Sequence, residues 1–434
     1  MMEWCSRAST KQRAGRAGRV QPGLCLKLFS SRTEKYHMKT ATEPELRRIP
    51  LEEVCLNILA AGFAKSCMEF LRQTPEPPTE DAVRAALSVL REIGAVSSAN
   101  ASQDSPGATG TTTDDLTPLG QHLAKLPVDA RVGKMLIFGA LFRCIDTIAT
   151  IAASLSASQS IFVSSLYESP EARAARLSFA DPRSDFLTFV NIWEAYRKCS
   201  SPSEARKLCK ERSLNNRALR EIGDARSLYL DLLSGLGFLD RKKLGYDDRS
   251  REYKDKLLVS SIYNVHGRKE EVVHAVVCGG TYPNLAHCHT GTGGDRSLWH
   301  KQERLFVHSS SVNFKTPTYL PSSWIAFHEK FGTSSRVTVS TTCFVHPFSL
   351  MIFGGTIVVK HTERKVCLDE WIELGMAAKT GVMFRELRKE VDCLLEAVFE
   401  DTDSATNKSA RNAEATKMID GIVQLLVANS VRQK

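Results

Sequence analysis

The hydrophobic period changes partway along the chain, and that change limits the fold more than any other feature. From Val128 to about Leu239 apolar residues recur at helical spacing: Met135, Leu136, Phe138, Gly139 and Phe142, then Phe186, Leu187, Phe189, Val190 and Trp193, then Leu228, Leu232, Leu233 and Leu236 ahead of Gly237. Such stripes predict helices packed side by side in a bundle. From about Lys256 to Val359 the pattern becomes short alternating or wholly apolar runs: VVHAVVCGG at Val272, RLFVHSSSVNF at Arg304, WIAFHEKF at Trp324, SRVTVSTTCFV at Ser335 and SLMIFGGTIVV at Ser349. Bounded by Gly, Pro, Asn or Ser, these runs predict strands of a small β-barrel. The expected class is multidomain α+β, and 434 residues with 42% hydrophobic content can bury the cores of roughly two to four domains.

Ahead of the bundle, Pro50 suits a first helical turn, Glu52 and Glu53 favour its positive end, and Leu51, Val54, Cys55, Ile58 and Leu59 form one apolar face. A second amphipathic helix is expected from Glu80 to Ile93, with Val83, Ala86, Leu87, Leu90 and Ile93 on one side and Gly94 as its stop. The stretch 97–115, SSANASQDSPGATGTTTDD, is poor in apolar residues and predicts a flexible insertion. After the barrel, LDEWIELG at Leu368 leads into a helix with Phe384, Leu387, Val391, Leu394, Leu395 and Val398 on one face. A mobile link and a short helix are expected to follow.

The octet QRAGRAGR, Gln12 to Arg19, carries the sharpest chemical signal. Its glycines let the backbone turn and approach a ligand closely. Its arginines are permanently charged forks whose geometry matches phosphate oxygens. Residues 1–50 hold eleven lysines and arginines against four acids, a balance of +7 out of a total of +9. The anion-binding potential therefore sits at the N-terminal end, and the rest of the chain is close to neutral. A plain basic stretch that binds RNA or phosphate without specificity is the alternative reading of the octet.

The segment SRASTKQRAGRAGRVQPGLCLKLFS resembles motif VI and its flanks in the DEAH/RHA-type superfamily 2 RNA helicases. EPELRRIPLEEVCLNILAAG, from Glu43, is similar to the passage from the second RecA-like lobe into a winged helix, although Ile49 stands where the family commonly has threonine. LTPLGQHLAKLPVDARVGKMLIFGALFRC resembles the entry to the helicase-associated, or ratchet, domain. GGTYPNLA, FVHSSSVNF and the closing FGG resemble the family's oligonucleotide-binding (OB) fold.

The resemblance implies five segments: the end of a RecA-like lobe at 1–48, a winged helix at 49–126, a ratchet domain at 127–255, an OB-type barrel at 256–360 and a helical extension at 361–434. It implies that Gln12 sits near the γ-phosphate and attacking water and that Arg16 and Arg19 are arginine fingers. Arg13 would link to an acidic partner, with Gly15 allowing close approach to the nucleotide. The cofactor it implies is ATP with Mg2+, and the partner is RNA, single-stranded or structured. Within the bundle, Asn191, Arg197, Asn215, Arg217 and Arg220 are candidate strand contacts, while Trp193 is expected in the core. On the barrel the candidates are Tyr282, His308, Lys330 and Arg336.

No GxxxxGK[ST] loop or DExH box occurs in the sequence; GATG at Gly107 and GTGGD at Gly291 lack the lysine and hydroxyl that such a loop needs. The family places those parts upstream of motif VI, so this polypeptide alone is expected not to hydrolyse ATP. An RNA-binding adaptor without a motor stays open as the alternative. Twelve cysteines without a CxxC suggest reduced thiols of a cytoplasmic or nuclear protein, and no secretory signal or membrane-length apolar run is visible. Cys278, His287, Cys288 and His289 are zinc-type ligands, but adjacent ligands do not suit one tetrahedral ion, so no metal is expected.

Overall fold

The computed structural model describes residues 4–99, 113–163, 170–240, 258–259, 261–290, 296–314, 322–333, 336–400 and 408–431. Most of the stretch 97–115, the GATG and GTGGD strings, and 401–407 lie outside them. The chain divides into two compact units, the first comprising 1–88 and 99–114, the second 89–98 and 115–434.

In the first unit, α1 (Arg7–Ala17) is capped by Ser6, whose side chain accepts from the Ser9 N–H at 3.1 Å. Its start is tied down by Arg7 N–H to Lys39 O at 2.9 Å and Ala8 N–H to Thr40 O at 3.0 Å. Helices α2 (Ser31–Tyr36), α3 (Glu52–Ala60) and α4 (Cys67–Arg72) follow. The core of α3 uses Leu51, Cys55, Leu56 and Ile58, so the expected apolar face holds apart from Val54 and Leu59, which are only half-buried. Helix α5 (Glu80–Ile93) has the expected bounds and buries the expected five residues, and Gly94, at φ +83°, ends it. Strands β1 (Val96–Ala99) and β2 (Thr113–Leu116) pair as a two-stranded sheet, so both ends of the stretch read as an insertion are strand.

The second unit takes in α5 from Val89 and β1 up to Ser98, then α6 (Pro118–Ala124), α7 (Ala130–Leu141) and α8 (Ile145–Leu155), continues through α9 (Pro170–Leu177), α10 (Asp185–Arg197) and α11 (Pro202–Glu211), and reaches α12 (Asn216–Gly235). Met135, Leu136, Phe138, Phe142, Phe186 and Trp193 are buried as the periodicity predicts. Along α12 the predicted stripe is displaced: Leu228 is 50% exposed, and Arg226, Tyr229, Leu230 and Leu233 face inward. The displacement follows from Arg226, whose charge hides an inward position from any apolar count.

Helix α13 (Glu270–Thr281) corrects the expectation that VVHAVVCGG is a strand. It is buried along nearly its whole length, so its residues are apolar on all sides and carry no period that separates helix from strand. The closing glycines serve packing: a Cβ at Gly280 would lie 2.6 Å from Cβ of Met135 on α7, which only glycine avoids.

Strands β3 (Leu285–Thr290), β4 (Arg296–His300), β5 (Glu303–Val307), β6 (Trp324–Thr333) and β7 (Arg336–Val345) close a barrel in the order β3-β4-β5-β7-β6, with β5 and β7 parallel. Its interior holds Ala286, Cys288, Leu298, Leu305, Ile325, Phe327, Val339 and Phe344. SLMIF, expected as a strand, belongs to α14 (Pro347–Phe353), which has Pro at its start and His346 as its cap. A three-stranded sheet of β8 (Ile357–Lys360), β9 (Lys365–Leu368) and β10 (Ile372–Gly375) comes next; β8 agrees with the strand expected in TIVV, whereas β9 and β10 lie where a helical extension was expected. Helix α15 (Ala378–Glu400) matches the expected amphipathic helix, whereas α16 (Lys408–Val431), with 24 residues, replaces the expected short one. Among the described residues no helix is long and apolar enough to cross a membrane.

Candidate nucleic-acid interface and arginine cluster

The octet lies on α1 and just beyond it. Gly15 is helical and Gly18 is the C-cap, with open space where a Cβ would stand, so neither glycine turns the chain towards a ligand as the sequence suggested. Gly23 is the sterically confined one: a Cβ there would meet Ala17 O at 1.9 Å. Gln12, Arg13, Arg16 and Arg19 are all exposed. Four residues apart, Gln12 and Arg16 are neighbours on the helix surface, as are Arg13 and Arg16 three apart. None of the three arginines has an ion pair with a described residue, so their donors face solvent and fit a phosphate-bearing ligand. Beyond them, Val20, Leu24, Leu26 and Leu28 are 77 to 98% exposed in a stretch without helix or strand.

In the second unit, α10 is fastened to the barrel through Asp185. Its Oδ2 accepts from Ser311 Oγ at 2.6 Å and Thr342 N–H at 2.8 Å, and Oδ1 accepts from Val312 N–H at 2.8 Å. Burial pushes this carboxyl up from its ordinary range, against the pull of those hydrogen bonds. Beside the fastening, a cavity of about 560 Å³ opens between the helices and β6–β7. Serines 158, 309, 310 and 311 supply hydroxyls to it, and Phe162, Phe189 and Phe314 supply rings; Phe314 is 47% exposed. His328 also lines the cavity, with burial holding its imidazole below the usual range and therefore neutral near pH 7.

Glu329 and Ser340, paired across β6 and β7, also line the cavity, and two residues on along β6 Phe331 lies on a barrel face that combines cations with rings. In the strand register Phe306, Thr338 and Phe331 form one row across β5, β7 and β6. Arg336 and Arg304 lie over the Phe306 ring at 4.6 and 5.4 Å, and His308 meets Phe331 edge-on at 5.5 Å. Two of the four barrel candidates, His308 and Arg336, thus fall on one surface; Lys330, opposite Val339 of the barrel core in the register and paired with Glu303, lies on the other face of β6. Such a face can stack bases and hold phosphates.

Tyr282 is placed differently. It is 2% exposed and its hydroxyl is bonded to Asp369, so it offers no ring face to a base; burial and the neighbouring carboxylate raise its pKa. Of the bundle candidates, Arg197 is paired with Asp146 at 3.1 Å, Asn191 donates to Phe179 O, and Asn215 caps α12. Arg217 and Arg220 remain exposed, and Arg220 bonds Tyr196. Trp193 is in the core, 6% exposed. His287 and His289 share one face of β3, with Nδ1 and Nε2 3.0 Å apart, while Cys288 points into the barrel core. Among the described residues no three ligands gather for a metal.

Sequence reading missed Arg304, Phe306, Phe331 and Asp185. Arg304, Phe306 and His308 alternate along β5, so the period-2 rule applied to RLFVH would have placed them on one face. Asp185 carried no such signal, since an aspartate after Ser184 reads simply as the start of a helix.

Comparison with known proteins agrees with this layout. A family profile described as "Helicase associated domain (HA2), ratchet-like" matches 129–189, one described as "Oligonucleotide/oligosaccharide-binding (OB)-fold" matches 273–357, and "C-terminal domain in RNA helicases" matches 364–428. The chain is 32% identical over 423 residues to the Arabidopsis thaliana DExH-box ATP-dependent RNA helicase DExH4, chloroplastic, covering 91% of this chain and 28% of that protein. It is 35% identical over 435 residues to the Homo sapiens ATP-dependent DNA/RNA helicase DHX36, covering 96% and 39%. With the Xenopus laevis ATP-dependent RNA helicase dhx29 it shares 33% over 405 residues, covering 91% and 28%. The chain therefore spans less than half the length of these relatives. Over its helicase-associated, OB-fold and C-terminal domains it is similar to the DExH/DEAH RNA helicases, whose C-terminal half it matches.

Proposed function

We infer that this chain is the strand-holding part of an ATP-dependent RNA helicase. Single-stranded RNA runs along the cavity beside α10 and the cation-and-ring face of the barrel, and the arginine cluster completes an ATP site whose Walker loop and DExH box lie on other RecA-like elements. The observation that carries this reading is the row Phe306–Thr338–Phe331, overlaid by Arg304 and Arg336 and adjoining a hydroxyl-rich cavity through the Glu329–Ser340 pair.

In this reading 1–48 is the end of a RecA-like lobe and 49–126 a winged helix. The exposed Val20, Leu24, Leu26 and Leu28 support the first, because apolar side chains so exposed ask for a covering surface. The order α3, α4, α5 and then β1 paired with β2 supports the second. ATP with Mg2+ would be met by Arg16 and Arg19 as the γ-phosphate charge develops, with Gln12 orienting water and Arg13 bridging to an acid. The phosphate supplies the leaving group; this chain's residues neutralise and orient. Nuclear or cytoplasmic RNA is the expected partner.

The second reading is a motor-less RNA-binding adaptor that keeps the helicase-associated and OB domains. The two readings separate in one experiment. Fluorescence anisotropy with labelled single-stranded RNA, and with DNA of the same sequence, is run on this chain alone and joined to the N-terminal RecA-like lobes of the human relative. The helicase reading expects RNA binding in both, and a change in RNA affinity with a non-hydrolysable ATP analogue only in the joined protein, lost in Arg16→Ala. ATP-insensitive RNA binding throughout supports the adaptor, and no RNA binding defeats both.

A further inference from the structure

A second cavity, of about 590 Å³, lies elsewhere in the same unit, between the end of α5, the start of α6, α7, the loop after α14, and α15. Phe138 and Phe353 give it an apolar floor, and Lys134 and Arg388 face it with charge. Lys134 is only 8% exposed, and its Nζ donates to a single partner, Ile93 O at 2.8 Å, leaving further donors unused. Arg388 gives Nε to Asp392, at 3.0 and 3.1 Å to the two oxygens, while its Nη1 is enclosed and has no hydrogen-bond partner.

Of these two cations only the half-buried Arg388 is ion-paired, with Asp392, while the buried Lys134 has the Ile93 carbonyl and the Phe138 ring at 5.5 Å. A buried guanidinium nitrogen left without an acceptor is costly, and an ammonium bonded to one neutral carbonyl is scarcely better placed. Nothing in the strand-holding function uses either group. The electrostatics report the same deficit: burial, and next Arg388, hold Lys134 down at about 8, against the raising effect of Asp392 and Cys278. Arg385 and Lys389, which share Glu386, also line the cavity, as do Arg91, Glu92 and Glu396.

We propose that this cavity binds a small organic monophosphate, its phosphate oxygens on Lys134 Nζ and Arg388 Nη1 and its apolar body against Phe138 and Phe353. A tetrahedral phosphate can offer separate oxygens to a point-like ammonium and to one arm of a guanidinium whose other donor is taken. The volume lies within the range of small-molecule sites. The site is distinct from the arginine cluster of α1 and does not depend on the helicase reading.

The test is calorimetric titration of the full chain with adenosine 5′-monophosphate and, separately, with inorganic phosphate. The expected result is saturable one-to-one binding of the nucleotide, competed by phosphate, weakened at least about tenfold in Arg388→Gln and Lys134→Met and unchanged in Arg16→Ala. At pH 8, repetition in buffers of different ionisation enthalpy should show proton uptake on binding, absent in Lys134→Met, because the phosphate restores the ammonium's preference for charge. Thermal melts show whether each variant is folded; Arg388, partly exposed, serves should the buried Lys134→Met fail. Lack of saturable binding at millimolar probe would overturn the proposal, as would binding lost in Arg16→Ala but kept in Arg388→Gln.

Discussion

Nη2 of Arg226 donates to Oδ1 of Asp146 at 2.7 Å inside the helical bundle, where the arginine is 1% and the aspartate 7% exposed. A second arm of the same guanidinium reaches Asp146 O at 2.7 Å and Thr150 Oγ1, and the plane lies 5.2 Å from the Trp193 ring centroid. Arg197 joins from the half-exposed side, so α8, α10 and α12 meet at one carboxylate. Helices that would otherwise slide over one another on apolar contacts are thereby held in one register.

Removing the guanidinium should therefore cost far more than removing an ordinary surface arginine. Arg226→Met leaves the buried Asp146 carboxylate with Arg197 alone, so a loss of about 3–5 kcal/mol is expected in urea unfolding. The double variant Arg226→Met, Asp146→Asn should recover part of it, since it no longer buries an under-compensated charge. Equal stability of the single variant and the parent would mean that the network contributes nothing.

Gly355 tests the junction between α14 and the small sheet. A Cβ at this position would stand 1.9 Å from Oδ2 of Asp369, whose carboxylate is fixed by Tyr282 Oη and by Thr356 N–H at 2.8 Å. Gly355→Ala must push that carboxylate off its partners, and a loss of about 1–3 kcal/mol follows from overpacking alone. Gly15→Ala, where a Cβ meets nothing, should leave melting unchanged or raise it. A reversed order of the two melting temperatures would contradict the packing described.

On the barrel, Arg336→Ala removes the cation nearest Phe306, and Phe331→Ala removes a ring that is 44% exposed. If RNA lies on this face, the arginine variant should reduce the slope of log affinity against log salt by about 0.7, the value for one phosphate contact on a single strand. The ring variant should weaken binding by about 1–3 kcal/mol without changing that slope. Tyr282→Phe keeps the buried ring and should bind RNA as the parent does. Unchanged anisotropy curves for both surface variants would remove this face from the interface.

Much of this organisation could be read from residue patterns, and the failures have physical causes. Glu80–Ile93 was legible because its apolar face, acidic first turn and terminal glycine all agree. VVHAVVCGG was not, because a helix buried on every side shows no face. Arg226 and Asp185 were invisible for a related reason: charge marks a residue as exposed until its partners, distant in sequence, are known. Tyr282 failed as a contact because an aromatic beside glycines and proline reads equally as a stacking platform or as a core plug. Which role it takes depends on Asp369, 87 residues away.

The acid side of the stability profile should be set in part by His274. Its Nε2 is enclosed on α13 without a hydrogen-bond partner, and burial pushes the imidazole down to about 4. A histidine whose folded pKa is depressed binds fewer protons folded than unfolded, so its contribution is complete above 6.5 and is lost as pH falls from 6.5 towards 4. Asp146 acts in the same direction at lower pH: burial opposes its charge, but Arg226 and Arg197 outweigh that and lower its pKa, so its contribution disappears below about 4. Asp185, with a raised pKa, works the other way, its contribution declining as pH rises above 3.8. His274→Gln, which carries no titrating proton, should flatten the fall between pH 6.5 and 4 by on the order of 2 kcal/mol, since a tenfold change in proton affinity corresponds to about 1.4 kcal/mol and the side chain is only half enclosed. Urea midpoints at pH 7, 6, 5 and 4 for parent and variant measure it directly. Parallel curves would show that the imidazole gains a proton in the folded state as readily as in the unfolded chain, and that the enclosure of Nε2 is relieved by local motion.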